Sequence, residues 1–248
     1  MNMYKDTKSL PGEEADRKIS VDGQERLWSH FQNELPEAFE GAKPRLDYLI
    51  REVSRKKRGP FPRVLNVGAG NGYFETTIQG LGWDIYSLDP DEETIHRLQM
   101  RGIKSYVGHA EEMPFENSNF NFVIASEILE HLNDEQRIKG IGEVLRVMAA
   151  GGWFLGTVPY CENLLLNQAC CPKCGEIFHR WGHIKSFSMD AIRAELEALF
   201  SKVSVKRRAF VSLRDRGFIG KIKGLSRLIL ARCGVEIAAP SIYFAAQK

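Results

Sequence analysis

Three groups of residues in this 248-residue sequence have types and spacings suited to chemistry. The first is Glu127, Glu130 and His131, in the order E-x-x-E-H. Two acids three residues apart share one face of a helix, and two carboxylates with an imidazole suit a hard or borderline divalent cation. His131 is also the candidate general base, should a hydroxyl have to lose its proton. The second group is Cys171-Pro-Lys-Cys174-Gly, followed by His179 and His183 at H-x3-H spacing. These four fill a tetrahedral Cys2His2 set and predict one structural Zn2+ in a compact loop. A mixed arrangement takes His183 inward to join Glu127 and His131. The third group is Gly68, Gly70 and Gly72 at alternate positions, followed by the acid Asp89. Glycines in a turn between a strand and a helix let a ligand approach the backbone, and the helix start offers free N–H donors.

The elements that position these groups follow from hydrophobic periodicity. Val64 to Phe74 reads as a buried strand (63–68), a tight turn and a helix to about residue 80. Further strands are predicted at 83–89, 104–107, 120–125 and 153–158. Asp91 caps a helix ending at Gly102, and a second helix fills about 134–149. This βαβ alternation predicts an α/β, doubly wound and mostly parallel sheet, with ligands at the carboxyl ends of the strands. Residues 21–58 read as N-terminal helices, with Trp28 and Phe31 on an apolar face that packs on the core or covers the site. Residues 1–20 read as a flexible arm. Two insertions interrupt the remaining domain, 59–248, at about 160–187 and 211–239. Between them, Ser188 caps a helix and a strand covers about 202–210. The second insertion mixes six Lys/Arg with aliphatic residues and two acids. It reads as an amphipathic helix that packs on the core, meets a membrane surface or touches RNA. The last strand, 241–246, completes the sheet.

Net charge of +2 argues neither for nor against nucleic acid, and no aromatic-interleaved basic patch is present. No apolar run spans a bilayer and no N-terminal stretch reads as a signal peptide, so a cytoplasmic location is expected. Five cysteines, three of them within 170–174, look like a metal site rather than a disulfide framework.

The turn Val64-Leu-Asn-Val-Gly-Ala-Gly-Asn-Gly-Tyr-Phe74 resembles motif I of the class I S-adenosylmethionine-dependent methyltransferases. Gly108-His-Ala-Glu-Glu-Met-Pro-Phe115 and Asn119 to Leu132 resemble two further segments of that family, with His109 and Asn121 standing where acids are common. The resemblance implies a seven-stranded sheet with an antiparallel last strand. It also implies a cofactor site: Asn66, Gly68, Ala69, Gly70, Gly72 and Tyr73 around the methionine part, Asp89 and Pro90 at the ribose, Ala110 and Glu111 at the adenine, and Ser126 at the methyl group. The E-x-x-E-H stretch resembles the metal-binding stretch of ubiquinone-biosynthesis and small-RNA 2′-O-methyltransferases. O-methylation of a small molecule or a glycan or lipid precursor is therefore the expected reaction. An RNA acceptor, or a cofactor-binding scaffold that uses the cysteine loop for docking, are the alternatives.

Overall fold

The computed structural model describes residues 21–211, 218–232 and 240–248. The arm at 1–20 and the flanks of the second insertion lie outside the described residues. Seven strands form one sheet, β1 (Arg63–Val67), β2 (Asp84–Asp89), β3 (Lys104–Val107), β4 (Phe120–Ser126), β5 (Met148–Pro159), β8 (Lys202–Arg208) and β9 (Ser241–Gln247). Their order is β3-β2-β1-β4-β5-β9-β8. Only β9 runs antiparallel, to both β5 and β8. The predicted last strand is therefore in place, between β5 and β8.

Layering follows from residue alternation along the strands. On β9, Ile242, Phe244 and Ala246 enter the core beneath α5 (Asp134–Val147) and α6 (Met189–Glu197). Tyr243 and Ala245 enter the opposite core, beneath α2 (Lys43–Lys56) and α3 (Tyr73–Gly80). Both faces of the sheet are thus covered, as a largely parallel sheet requires. The caps are local and match their sequence signals. The Asp91 side chain accepts from Thr94 N ahead of α4 (Glu92–Met100), Asn133 forms a capping box with Gln136 ahead of α5, and the Ser188 side chain accepts from Ala191 N ahead of α6.

Two departures matter for the site. The N-terminal helix α1 (Val21–Asn33) stops before Pro36, and 3-10 turns over Pro36–Ala42 redirect the chain into α2. The first insertion is a small hairpin, β6 (Gln168–Cys170) with β7 (Ile177–His179), carried on irregular backbone. It leaves the sheet at the end of β5. Within the second insertion, α7 (Phe218–Arg232) is helical as the periodicity predicts. No described helix is long and apolar enough to cross a membrane.

Candidate active site

A cavity of about 580 Å³ opens at the carboxyl ends of β1 to β4. Gly68, Ala69 and Gly70 form one wall, Asp89 and Pro90 a second, Ala110 and Glu111 a third. Ser126, Glu127 and His131 close the far end. Gly68 has φ +86°, and a Cβ there would stand 2.2 Å from Ile128 Cδ1. Both the backbone and the space therefore demand glycine. Beneath this turn, Asn66 donates to Gly68 O (3.0 Å) and to Glu75 Oε1 (2.7 Å), and Ser87 Oγ donates to the same oxygen (2.8 Å). Glu75 is fully buried, and burial raises its pKa to about 7.

Asp89 ends β2 with its carboxylate 3% exposed. Oδ2 accepts from Ala69 N (2.7 Å) and Oδ1 from Asp91 N (2.9 Å), which pins it between two loops. Burial nonetheless raises its pKa. Helix α1 lies over the cavity. Its Gln32 Nε2 donates to Asp89 Oδ2 (3.0 Å), and Trp28 lines the wall with its ring edge-on to His131, centroids 4.8 Å apart.

At the far end, β4 turns sharply. Glu127 takes φ +57°, and Leu129–His131 make a single 3-10 turn. Glu130 and His131 are thereby buried side by side, with His183 of the first insertion against them. Ligand atoms of Glu130, His131 and His183 all lie within 4.8 Å of one another. Four lone-pair-bearing atoms here are buried without a hydrogen-bond partner: Glu127 Oε1, both oxygens of Glu130, and His131 Nε2. Arg45 faces the group from α2, donating to Ser126 Oγ (2.9 Å), with Nε 4.0 Å from Glu127 Oε1. Burial and the neighbouring Glu127 push the Glu130 pKa well up. Burial and His183 bring the His131 pKa down to about 3.

The tautomers follow from the partners. His131 Nδ1 lies 3.1 Å from the Gly182 carbonyl oxygen, which can only accept, so Nδ1 carries the proton and Nε2 keeps its lone pair. His183 Nδ1 lies 2.5 Å from Glu162 Oε2, which fixes that ring in the same way. His179 is the reverse. Its Nδ1 accepts from His183 N (3.1 Å), so Nε2 carries its proton toward Glu162 Oε1, 3.4 Å away. Burial raises the Glu162 pKa, but the His183 hydrogen bond and the two imidazoles outweigh it and hold the carboxyl below its usual value. Glu162 thus braces both histidines from behind.

Residues 65–156 match a family described as "Methyltransferase domain". Uncharacterized methyltransferases of Mycobacterium tuberculosis and Mycobacterium bovis are 30% identical over 109 residues, 43% of this chain and 41% of theirs. The matched stretch thus spans about two fifths of those relatives' length. A chloroplastic 2-methyl-6-phytyl-1,4-hydroquinone methyltransferase of rice is 30% identical over 36% of this chain and 27% of its own. Among solved structures, a methyltransferase from Thermotoga maritima superposes with a TM-score of 0.59 at 17% identity, covering 90% of this chain and 99% of that one. One from Archaeoglobus fulgidus gives 0.58 at 18% identity, covering 86% and 99%. The likeness is one of fold, an α/β seven-stranded mixed sheet with one antiparallel strand in this chain. Residues 65–156 thus form a domain similar to methyltransferases, set in a fold shared with solved methyltransferases.

The cavity fits S-adenosylmethionine, the cofactor that a methyltransferase domain implies. The Gly68–Gly70 wall is open to a ligand, and Asp89 stands at the end of β2 where a ribose would meet it. Asn66 reaches the cavity but braces the turn through its amide. Two predicted contacts fall outside the cavity wall. Gly72, at φ +80°, caps α3, and a Cβ there would stand 2.7 Å from Leu98 Cδ2, so this glycine serves helix packing. Tyr73 turns to α2 and donates its hydroxyl to Asp47 Oδ1 (2.7 Å).

The structure does not form the predicted Cys2His2 set. In the hairpin, Cys170 pairs with Ile177 while Gln168 pairs with His179. Cys171 and Cys174 therefore sit at the tip, and His179 at the base. His179 is 6% exposed and engaged with Glu162, and His183 goes inward to Glu130 and His131. Among the described residues, no candidate metal group contains a cysteine. The Cys171–Gly175 turn does form, with Gly175 N donating to Cys171 O (2.8 Å), but it brings only two of the four ligands together. The acids at 127 and 130 meet through a sharp turn rather than on a helix face. Gln32, Arg45 and Glu162 went unnoticed in the sequence, where no motif marks them.

Proposed function

We propose that this methyltransferase acts on a hydroxyl oxygen of a small molecule or a glycan or lipid precursor. The acceptor would sit beside a divalent cation held by Glu130, His131 and His183, with Glu127 next to them. The observation that carries this reading is the set of buried oxygen and nitrogen lone pairs left without donors at one end of the cavity. Leaving such groups unpaired costs about 1–3 kcal/mol each, more when charged. One cation between Glu130, His131 and His183 would satisfy three of the four atoms, while Glu127 Oε1 faces Arg45. Two imidazoles with carboxylates favour a borderline ion such as Mn2+ or Fe2+.

When bound, S-adenosylmethionine would supply an electrophilic methyl group together with its own leaving group. The chain's part is to position the reactants. Asp89 would accept from the ribose hydroxyls, and the Gly68–Gly70 backbone would border the methionine part. Trp28 and α1 would exclude water. Glu130 and His131 would hold the acceptor oxygen near the cation, which would lower the pKa of a bound hydroxyl. His131 is held neutral, which favours a ligand role over that of general base.

Metal analysis of dialysed protein, together with transfer of labelled methyl groups to a panel of phenolic, glycosidic and lipid-linked hydroxyl acceptors, tests this reading. One ion per chain is expected, and both ion and transfer should disappear in His183→Ala. Transfer that survives chelation and His183→Ala would remove the cation. A chain that binds no S-adenosylmethionine by calorimetry would remove the enzyme. Asp89→Ala should weaken cofactor binding by roughly 100-fold, the value of two hydrogen bonds to a charged acceptor.

A further inference from the structure

Charge in this chain is strongly segregated. Ten of its 34 Lys and Arg residues fall between positions 202 and 232, with one of its 32 acids. The rest of the chain carries 24 basic residues against 31 acidic ones. The near-neutral total conceals a basic segment on an acidic body. That segment comprises β8, the chain after it, and α7.

Helix α7 also wears its apolar residues on the outside. Ile222, Leu225, Ile229 and Leu230 are each about half exposed. At 100° per residue they fill an arc of about 140°. Lys223 and Arg227 border that arc. Gly224 is buried, and Leu228 and Ala231 are partly buried, and they occupy the opposite side of the same helix. The helix therefore rests on the protein through small and aliphatic residues and turns a second, larger aliphatic stripe outward. Burial against the core does not account for this stripe.

Its position in the topology is informative. Arg208 ends β8 and Ser241 begins β9, and these two residues pair. Ser241 also pairs with Pro159, the end of β5. The segment carrying α7 therefore leaves and rejoins the sheet at the edge where the parallel strands end. That is the edge on which the cavity opens and from which the first insertion springs.

We infer that α7 is an interfacial helix that docks this methyltransferase on an anionic lipid bilayer. Its aliphatic stripe would enter the headgroup boundary, with the basic residues against lipid phosphates. This combination of an aliphatic stripe and flanking cations is the composition of helices that lie in a membrane surface. Nucleic acid matches the charge but not the stripe, since α7 offers a base no described aromatic side chain on which to stack. Docked this way, the cavity edge is held at the bilayer, which suits an acceptor carried on a lipid. This inference stands on α7 and its charge alone, so it survives if the cation reading fails.

Co-sedimentation of the full chain with vesicles tests it. Vesicles of phosphatidylcholine with about a third phosphatidylglycerol should capture the protein, pure phosphatidylcholine should not, and high salt should release it. Each basic residue near an anionic surface contributes about 1 kcal/mol, a factor of roughly five. Lys223→Gln with Arg227→Gln should therefore weaken capture about 25-fold. Leu225→Ser with Ile229→Ser should weaken it at least tenfold. Melting temperature and S-adenosylmethionine binding should stay unchanged in both pairs, because these side chains are exposed. No capture by the anionic vesicles would overturn the inference, as would capture indifferent to Leu225→Ser with Ile229→Ser. Salt-sensitive binding of a single-stranded RNA oligonucleotide without vesicle binding would assign the surface to nucleic acid instead. A concentration-dependent dimer abolished by Leu225→Ser with Ile229→Ser, again without vesicle binding, would assign it to a second copy.

Discussion

Glu75 and Glu162 are two acids buried or half-buried away from the substrate, and each sets up a group that faces the cavity. Glu75 holds Asn66 and Ser87 beneath the glycine turn, and its pKa in the fold is about 7 against 4.5 in a free chain. Between those pH values the folded chain keeps a proton that the unfolded chain has lost. Stability therefore falls as pH rises through this window and levels off above pH 7. The shift corresponds to roughly 3 kcal/mol. Glu75→Gln keeps the accepting oxygen and cannot ionise. Its melting temperature should match the parent near pH 5 and exceed it by several degrees at pH 9, which scanning calorimetry at both pH values would reveal. Glu162 acts one layer behind the proposed cation by holding the His183 ring through Nδ1. Carboxylates behind metal-bound histidines raise affinity by about 10- to 100-fold. Titration of the metal-free protein with Mn2+ should show a loss of that size in Glu162→Gln while cofactor binding is kept. Unaltered Mn2+ affinity would mean that Glu162 serves the loop alone.

At the scale of elements, what could be read in the sequence was local, and what could not was remote. The glycine turn, Asp89 at the end of β2, and the caps at Asp91 and Ser188 depend on residues within a few positions of one another, so their signals survive in one dimension. Gln32 on Asp89 and Arg45 on Ser126 join positions 57 and 81 residues apart, and no spacing records them. The cysteine loop shows the opposite error. Four ligand types at plausible spacing suggested one site, yet the β6–β7 pairing separates tip from base and sends the histidines elsewhere. Cys171→Ser with Cys174→Ser should therefore leave the metal content and the folding transition of the domain unchanged. Elemental analysis that found the ion lost in this double variant would restore the cysteines as ligands.

For the molecule as a whole, the doubly wound sheet was legible because every strand and helix carries its own period. The functional edge was less so. It is assembled from α1, the turn after β4 and the first insertion, which lie far apart in the chain. Net charge concealed the segregation that folding exposes on α7. The glycine turn, Asp89 and the Glu127–His131 turn lie in the stretch that matches the methyltransferase domain, while α1, the first insertion and α7 lie outside it.

The first insertion is sewn to the centre it covers. Glu130 O accepts from Ile184 N and Lys185 N, and Gly182 O accepts from both Gln24 Nε2 and His131 Nδ1. A descendant that exchanged this loop to accommodate a new acceptor would lose His183 and the tautomer of His131 in the same event. For the proposed cation-dependent enzyme, diversification would then proceed by point changes along the roof, or by wholesale conversion to chemistry that needs no cation, with few viable intermediates between.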